Sequence, residues 1–366
     1  MGKKFLSISQ DVPPNISRRI LSYFGMAALF FALSFATIYI LRHSFSGAQV
    51  RIPSNFLSLH VIGSLTVLLL LYFLADGLRL YCIIRAIGSR IGFIYIIKLV
   101  FINIFVSNVT PFATGGGLVQ IYFMKQRGMP IGEATAATSI RTIIAGLIIF
   151  TLTPIIIWFE PNLFRIFFQK NIFYIVTIFS CLYLAGFWII IFRIKTIKRF
   201  IYLALYALNV FKLLPRPRFR SLFLRFCYEL DLFSAGFKKY FRSGSIWAIL
   251  SIASTALFLL LLFSFSVLLV RFLGYEVPML TILSFEVVVT FFMYFTPTPG
   301  AAGVAEGGYG LLFAQLVQEK DILLLTLSWR FLTIYVGLTI GIFIIYGEIF
   351  NHRRAARKLD LKRGLA

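Results

Sequence analysis

Two arginines lie where a chain this apolar has no cheap place for charge. Arg141 is about ten residues into the apolar run 131–158, about 15 Å deep at 1.5 Å of rise per residue, and Arg330 is about nine residues into the run 322–346. A charged side chain at that depth costs at least a few kcal/mol, so each needs a partner or a task. Guanidinium groups bind phosphate through paired N–H donors, and two of them at matching depths make a positive centre suited to a phosphate. The buried carboxylates Glu286 and Glu306 offer a second reading, in which acid neutralises each arginine. Both readings stand, because a site can hold substrate in one state and close on itself in another.

Other polar side chains gather near the same depth. Glu306 falls in the first turn of a short helix after a Gly-rich break, where a carboxylate either caps the helix N-terminus or meets a cationic headgroup or coupling proton. Glu286 is about eight residues into an apolar limb and calls for an arginine partner or a proton. Gln120 and Tyr122 are polar enough to line a cavity, and Tyr122 serves equally well as an interfacial anchor. Asp76 and Arg79, three apart on one helix face, read as a local ion pair, and Lys98 as a snorkelling side chain. His43, His60 and His352 have no ligand-spaced neighbours, and Cys82, Cys181 and Cys227 form no CxxC pair, so neither metal nor disulfide is expected. No GxxxxGK[ST] loop occurs, and no cofactor is called for.

The elements that must position these groups are interrupted helices. The runs 91–109 and 278–295 end in Thr110-Pro111-Phe112-Ala113-Thr114-Gly115-Gly116-Gly117 and Thr296-Pro297-Thr298-Pro299-Gly300-Ala301-Ala302-Gly303. Proline removes a backbone donor and glycine permits unusual dihedrals, so no helix passes either stretch unbroken, and a short helix follows each. Uninterrupted apolar runs predict six full crossings, at 21–41, 56–84, 131–158, 172–192, 245–272 and 322–346. The run at 21–41 follows Arg18 and Arg19 and is too long for a signal-peptide core, so it reads as an uncleaved crossing.

Charge decides which way the broken segments run. The stretch 193–242 holds 12 Lys and Arg, and it faces the cytoplasm only if each broken segment returns to the side it entered from. The expected fold is therefore an all-α polytopic membrane protein with six crossings plus two re-entrant hairpins, or about eight segments by hydropathy. Segment 1–20 and the basic tail 348–366 are both cytoplasmic, in a cell membrane. Units 56–158 and 245–347 then carry the same order of elements in opposite orientation within one membrane domain, 21–347. Pro111 precedes Arg141 by 30 residues and Pro299 precedes Arg330 by 31. Inverted repeats with broken helices build a midplane substrate site in secondary transporters, and irregular backbone at that depth must line a cavity or be buried in protein.

Composition closes off other classes. Of 366 residues 60% are hydrophobic and 13% charged, yet the net charge is +23. No soluble nucleic-acid binder has so little polar surface to carry its basic face. The basic amphipathic segment 193–242, split by Pro215 and Pro217, instead suits an anionic leaflet, as does the tail with Arg353, Arg354, Arg357, Lys358, Lys362 and Arg363.

The stretch Thr110-Pro111-Phe112-Ala113-Thr114-Gly115-Gly116, with Gln120-Ile121-Tyr122 and Arg127-Gly128, resembles the first signature of the lysylphosphatidylglycerol synthase transmembrane-region family, or flippase-like domain proteins. Pro297-Thr298-Pro299-Gly300-Ala301-Ala302-Gly303-Val304-Ala305-Glu306-Gly307-Gly308 resembles the second. Gly117 stands where many relatives carry Gln or Glu, and Ala113 and Thr114 where many have Arg. The resemblance implies an integral membrane domain associated with moving aminoacylated phosphatidylglycerol between leaflets. The aminoacyltransferase domain that accompanies it in the multiple peptide resistance factor is not expected here, so lysyl transfer is not expected either.

The expectation is a lipid flippase or transporter without enzymatic activity. Its partners are phosphate-bearing membrane lipids, its headgroup site is formed by Arg141, Arg330, Glu306, Glu286, Gln120 and Tyr122, and its breaks turn on Thr110, Pro111, Gly115, Gly116, Pro297, Pro299, Gly300 and Gly303. A membrane-embedded enzyme or accessory subunit of lipid or glycolipid synthesis is the alternative, and a non-transporting scaffold the second.

Overall fold

A computed structural model describes residues 58–160, 172–192, 216–242 and 245–348, with isolated positions outside these stretches. The expected crossing 21–41, segment 1–20, the first part of 193–242 and the tail beyond residue 348 lie outside the described residues. Every element among the described residues is helical, and in chain order they are α1 (Leu59–Ile87), α2 (Phe93–Asn108), α3 (Thr114–Gln126), α4 (Ile131–Phe159), α5 (Ile172–Phe192), α6 (Arg216–Arg242), α7 (Ile246–Phe272), α8 (Met279–Met293), α9 (Val304–Phe313) and α10 (Glu319–Glu348). Within α10 the residues Phe331–Tyr335 form a π-helical turn.

Four of these helices, α1, α4, α7 and α10, are long and apolar enough to cross a membrane, while α2, α8 and the Phe173–Gly186 part of α5 are shorter apolar helices. The protein is thus an all-helical, multi-pass membrane protein. Local chemistry sets the ends. Ser58 caps α1 by accepting from the Val61 amide at 3.4 Å, and Gly88, at φ 95°, closes it by donating to the Arg85 and Ile84 carbonyls. Ser245 caps α7 in the same way through Trp247.

Two large apolar cores and a small one of Ala302, Ile334 and Leu338 hold the described helices together. One large core gathers Phe150 of α4, Phe265 of α7, Phe285 and Phe291 of α8 and Phe313 of α9. The other joins the C-terminal part of α1 to α2, α3, the first half of α4 and α6, around Ile83, Ile96, Met124, Ala137 and Tyr240. The most extensive helix contact is between α1 and α7. Close backbone approach at Gly116 and Gly341 is possible only because glycine stands there. A Cβ on Gly116 would lie 2.0 Å from Ser107 Oγ and 2.9 Å from the Asn103 carbonyl, so α3 folds back directly onto α2. Gly337 and Gly341 bring α10 onto α2, where a Cβ on Gly341 would meet the Phe101 carbonyl at 2.4 Å.

Candidate functional site

The two Pro- and Gly-rich breaks adopt one backbone form. Pro111-Phe112-Ala113 and Pro299-Gly300-Ala301 each make a short 3-10 turn in which the proline is followed by two left-handed residues: Phe112 and Ala113 at φ 52°, Gly300 at 58° and Ala301 at 53°. A non-glycine residue in that region costs about 1–2 kcal/mol, and such strain persists only where the surroundings fix it. The two turns pack against each other, and the second also packs against α2.

Hydroxyls and tight packing fix the first break. The Thr110 hydroxyl donates to the Val106 carbonyl at 2.8 Å and accepts from the Gly115 amide at 3.0 Å. Thr110 and Gly116 are buried, Gly115 half-buried, while Pro111, Phe112, Ala113 and Thr114 are exposed. Charge fixes the second. Glu306 Oε2 accepts from the Gly303 amide at 2.8 Å, and Arg330 Nη2 donates to the Gly300 carbonyl at 3.1 Å. Pro299, Gly300 and Ala301 are buried there, Gly303 is half-buried, and Pro297 is exposed.

Arg141 lies in a buried cluster built by α1, α3 and α4. Its Nη2 donates to both Asp76 oxygens, at 2.6 and 2.7 Å, and its Nη1 donates to Gln120 Oε1 at 3.1 Å. Gln120 is held in turn by donating to the Leu99 carbonyl at 3.1 Å. Asp76 also accepts from Arg79 Nε at 2.5 Å, and the Arg79 guanidinium stacks over Phe258 at 3.8 Å. Tyr72 of α1 and Tyr294, just past α8, lie within electrostatic reach of both arginines. Two guanidiniums therefore share one carboxylate, Arg141 Nε has no partner, and no hydrogen bond of the described residues engages the terminal nitrogens of Arg79.

Arg330 lies in a second cluster with different chemistry. Its Nε donates to Glu306 Oε1 at 2.8 Å, and both side chains are essentially inaccessible. One charge of each sign meets here, and of this pair Arg330 Nη1 is without a partner among the described residues. Glu286 makes no ion pair among the described residues. The Ser266 hydroxyl donates to it, and the Ser266 and Tyr309 hydroxyls share a hydrogen bond at 2.8 Å, completing a chain whose tyrosine ring is stacked between Phe313 and Trp329.

The expected site residues are therefore distributed. Arg141 and Gln120 share one cluster, Arg330 and Glu306 the other, and Glu286 lies beside the second with hydroxyl partners. Tyr122 is 57% exposed on α3 and joins neither cluster, a position that fits an interfacial anchor. Asp76 is the carboxylate on Arg141, where sequence offered Glu286 and Glu306; it bonds Arg79 as expected but also reaches across α1 and α4 to a residue 65 positions away. Sequence reasoning also passed over Ser266, Tyr309 and Tyr294, whose hydroxyls carry no signal that separates them from ordinary helix residues.

Residues 25–341 match the family described as the lysylphosphatidylglycerol synthase TM region. A relative described as a UPF0104 membrane protein, from Archaeoglobus fulgidus, is 24% identical over 272 residues, which are 74% of this chain and 81% of that protein.

Proposed function

The chain belongs to the lysylphosphatidylglycerol synthase transmembrane-region family, and from that premise we propose that it moves a phosphate-bearing lipid between membrane leaflets. The reading rests on the Arg141 cluster. Its two buried guanidiniums answer to a single carboxylate, so among the described residues one positive charge has no counter-charge in the apolar interior. A phosphodiester supplies one negative charge, an acceptor for the buried Arg141 Nε, and acceptors for the Arg79 terminal nitrogens, which no hydrogen bond of the described residues engages.

In this reading the α2–α3 and α8–α9 segments are re-entrant hairpins related by an inverted repeat, and the meeting of their breaks supports a common path for the headgroup. Arg330 and Glu306 brace the second hairpin and contact the headgroup when their pair opens. Glu286, with its hydroxyl chain, is the group for a cationic substituent or a coupling proton. Movement is downhill or ion-coupled. The protein sits in the cell membrane with both termini in the cytoplasm and its basic segments on the anionic leaflet.

The test is leaflet exchange of fluorescent lipids in vesicles containing the purified protein, read by dithionite quenching. Wild-type protein is expected to accelerate exchange, and Arg141→Gln to slow it at least about ten-fold, the loss of one charge-assisted contact. No acceleration across anionic, aminoacylated and polyprenyl-phosphate lipids, with the protein shown to be folded, would sink the proposal.

A further inference from the structure

The last turns of α6 lie far in sequence from both charged clusters and have a chemistry of their own. α6 is seated firmly. Glu229 Oε2 accepts from the Gly132 amide at 2.7 Å, the Glu229 carbonyl sits where a Cβ on Gly132 would lie 2.2 Å away, and the Tyr240 hydroxyl bonds Ser251 at 2.6 Å. Its docked face leaves a hollow of about 180 Å³ against α4 and α7, lined by side chains that include Ile144, Leu147 and Ile148, Phe237 and Phe241, and Ile252. Glu229 ties α6 to α4 ahead of the hollow and Tyr240, which itself lines it, ties α6 to α7, so the space is present in the folded protein.

Charge runs alongside it. Lys238 and Arg242 are one turn apart on α6, and each follows a lining phenylalanine in sequence, so the basic row is offset by about 100° from the apolar row of Phe237 and Phe241. Lys239 is taken up by Glu133 at 3.5 Å, but Lys238 and Arg242 are exposed and make no ion pair among the described residues. All three basic residues line a separate open hollow at the end of α1, beside Gly88, on the next face of α6 from the trough. An apolar trough beside an unpaired basic row is complementary to a molecule with a hydrocarbon chain and an anionic head.

We propose that this is a binding site for one anionic phospholipid, with an acyl chain in the α4–α6–α7 trough and its phosphate on Lys238 and Arg242. The site stands apart from the Arg141 cluster and does not depend on leaflet exchange. Native mass spectrometry of the full chain in neutral detergent tests it, with dioleoylphosphatidylglycerol, dioleoylphosphatidylcholine and glycerol phosphate as probes.

The first phosphatidylglycerol adduct is expected at a concentration about ten-fold lower than the first phosphatidylcholine adduct, consistent with two basic residues near an anionic head. Glycerol phosphate, lacking the chain, is expected to give no adduct in that range. The double variant Lys238→Gln/Arg242→Gln is expected to remove the preference while still binding lipid. Ile252→Trp, which fills the trough, is expected to weaken both lipids, with folding checked by thermal unfolding. Equal binding of the two lipids by wild type, or a preference that survives the double variant, overturns the proposal. So does glycerol phosphate or polyglutamate displacing the lipid at matched concentration, which would make the row a site for free anions or an acidic protein segment.

Discussion

The two breaks share a backbone and differ in what surrounds it. Each is a proline followed by two left-handed residues, and each precedes a buried arginine by about thirty positions. Arg330 turns back and clasps its own break through Gly300 and, by way of Glu306, through Gly303. Arg141 turns away from its break, which it meets only through Gln120 on the returning helix, and shares Asp76 with Arg79. One arginine is thus spent on holding backbone in place and is neutralised on the spot. The other is held at a distance with charge left over. Equal depth in the sequence does not make equal electrostatics, because the net charge of a cluster depends on how many guanidiniums share its one carboxylate.

That difference can be broken by substitution. The largest effect is expected from Asp76→Asn, which leaves two guanidiniums facing each other without a counter-charge. Removing one partner of a buried pair costs about 3–5 kcal/mol, and this variant should fall at the upper end in thermal or denaturant unfolding of the detergent-solubilised protein. Glu306→Gln strands a single arginine and should fall at the lower end of the same range. A reversed order would show that the surplus charge of the first cluster is already compensated.

Removing both members of the second pair, Arg330→Met with Glu306→Leu, should cost less than Glu306→Gln alone, with a coupling of about 1–3 kcal/mol in a double-mutant cycle. In the first cluster, Asp76→Leu with Arg141→Met still leaves Arg79, so no such recovery is expected. Gly116→Ala forces a methyl into Ser107 and the α2 backbone and should cost about 1–3 kcal/mol, whereas Gly117→Ala faces open space and should stay within about 0.5 kcal/mol. One effect is a gain: Ala301→Gly relieves a left-handed alanine and should stabilise by about 1 kcal/mol or less, read as a small rise in Tm.

How far these features can be read from sequence follows their range. Proline and glycine act on their own dihedrals, so both breaks are legible, as are the helices on either side of them. The burial of Arg141 and Arg330 is legible too, because it needs only a count of apolar residues on either side. Asp76 as the partner of Arg141 is not, since that contact exists only once α1 and α4 are packed, and spacing along the chain pointed to Arg79 alone. The left-handed conformations of Phe112, Ala113 and Ala301 are equally hidden, because their residue types argue against them and only the folded backbone reveals them. The function of Gly116 becomes visible only when α3 is laid on α2, while neighbouring Gly117, identical in sequence terms, touches nothing.

The π-helical turn at Phe331–Tyr335 begins at the residue after Arg330. Such a turn holds one residue more than an α-helical turn allows, so the helix beyond it runs out of phase with the helix before it by one residue, about 100°. Upstream of the turn α10 presents Arg330 to Glu306 and Gly300; downstream it presents Gly337 and Gly341 to α2. A single uninterrupted α-helix would bind these two aims to one fixed angle. The extra residue lets one continuous segment address the second break at one azimuth and the limb leading to the first break at another.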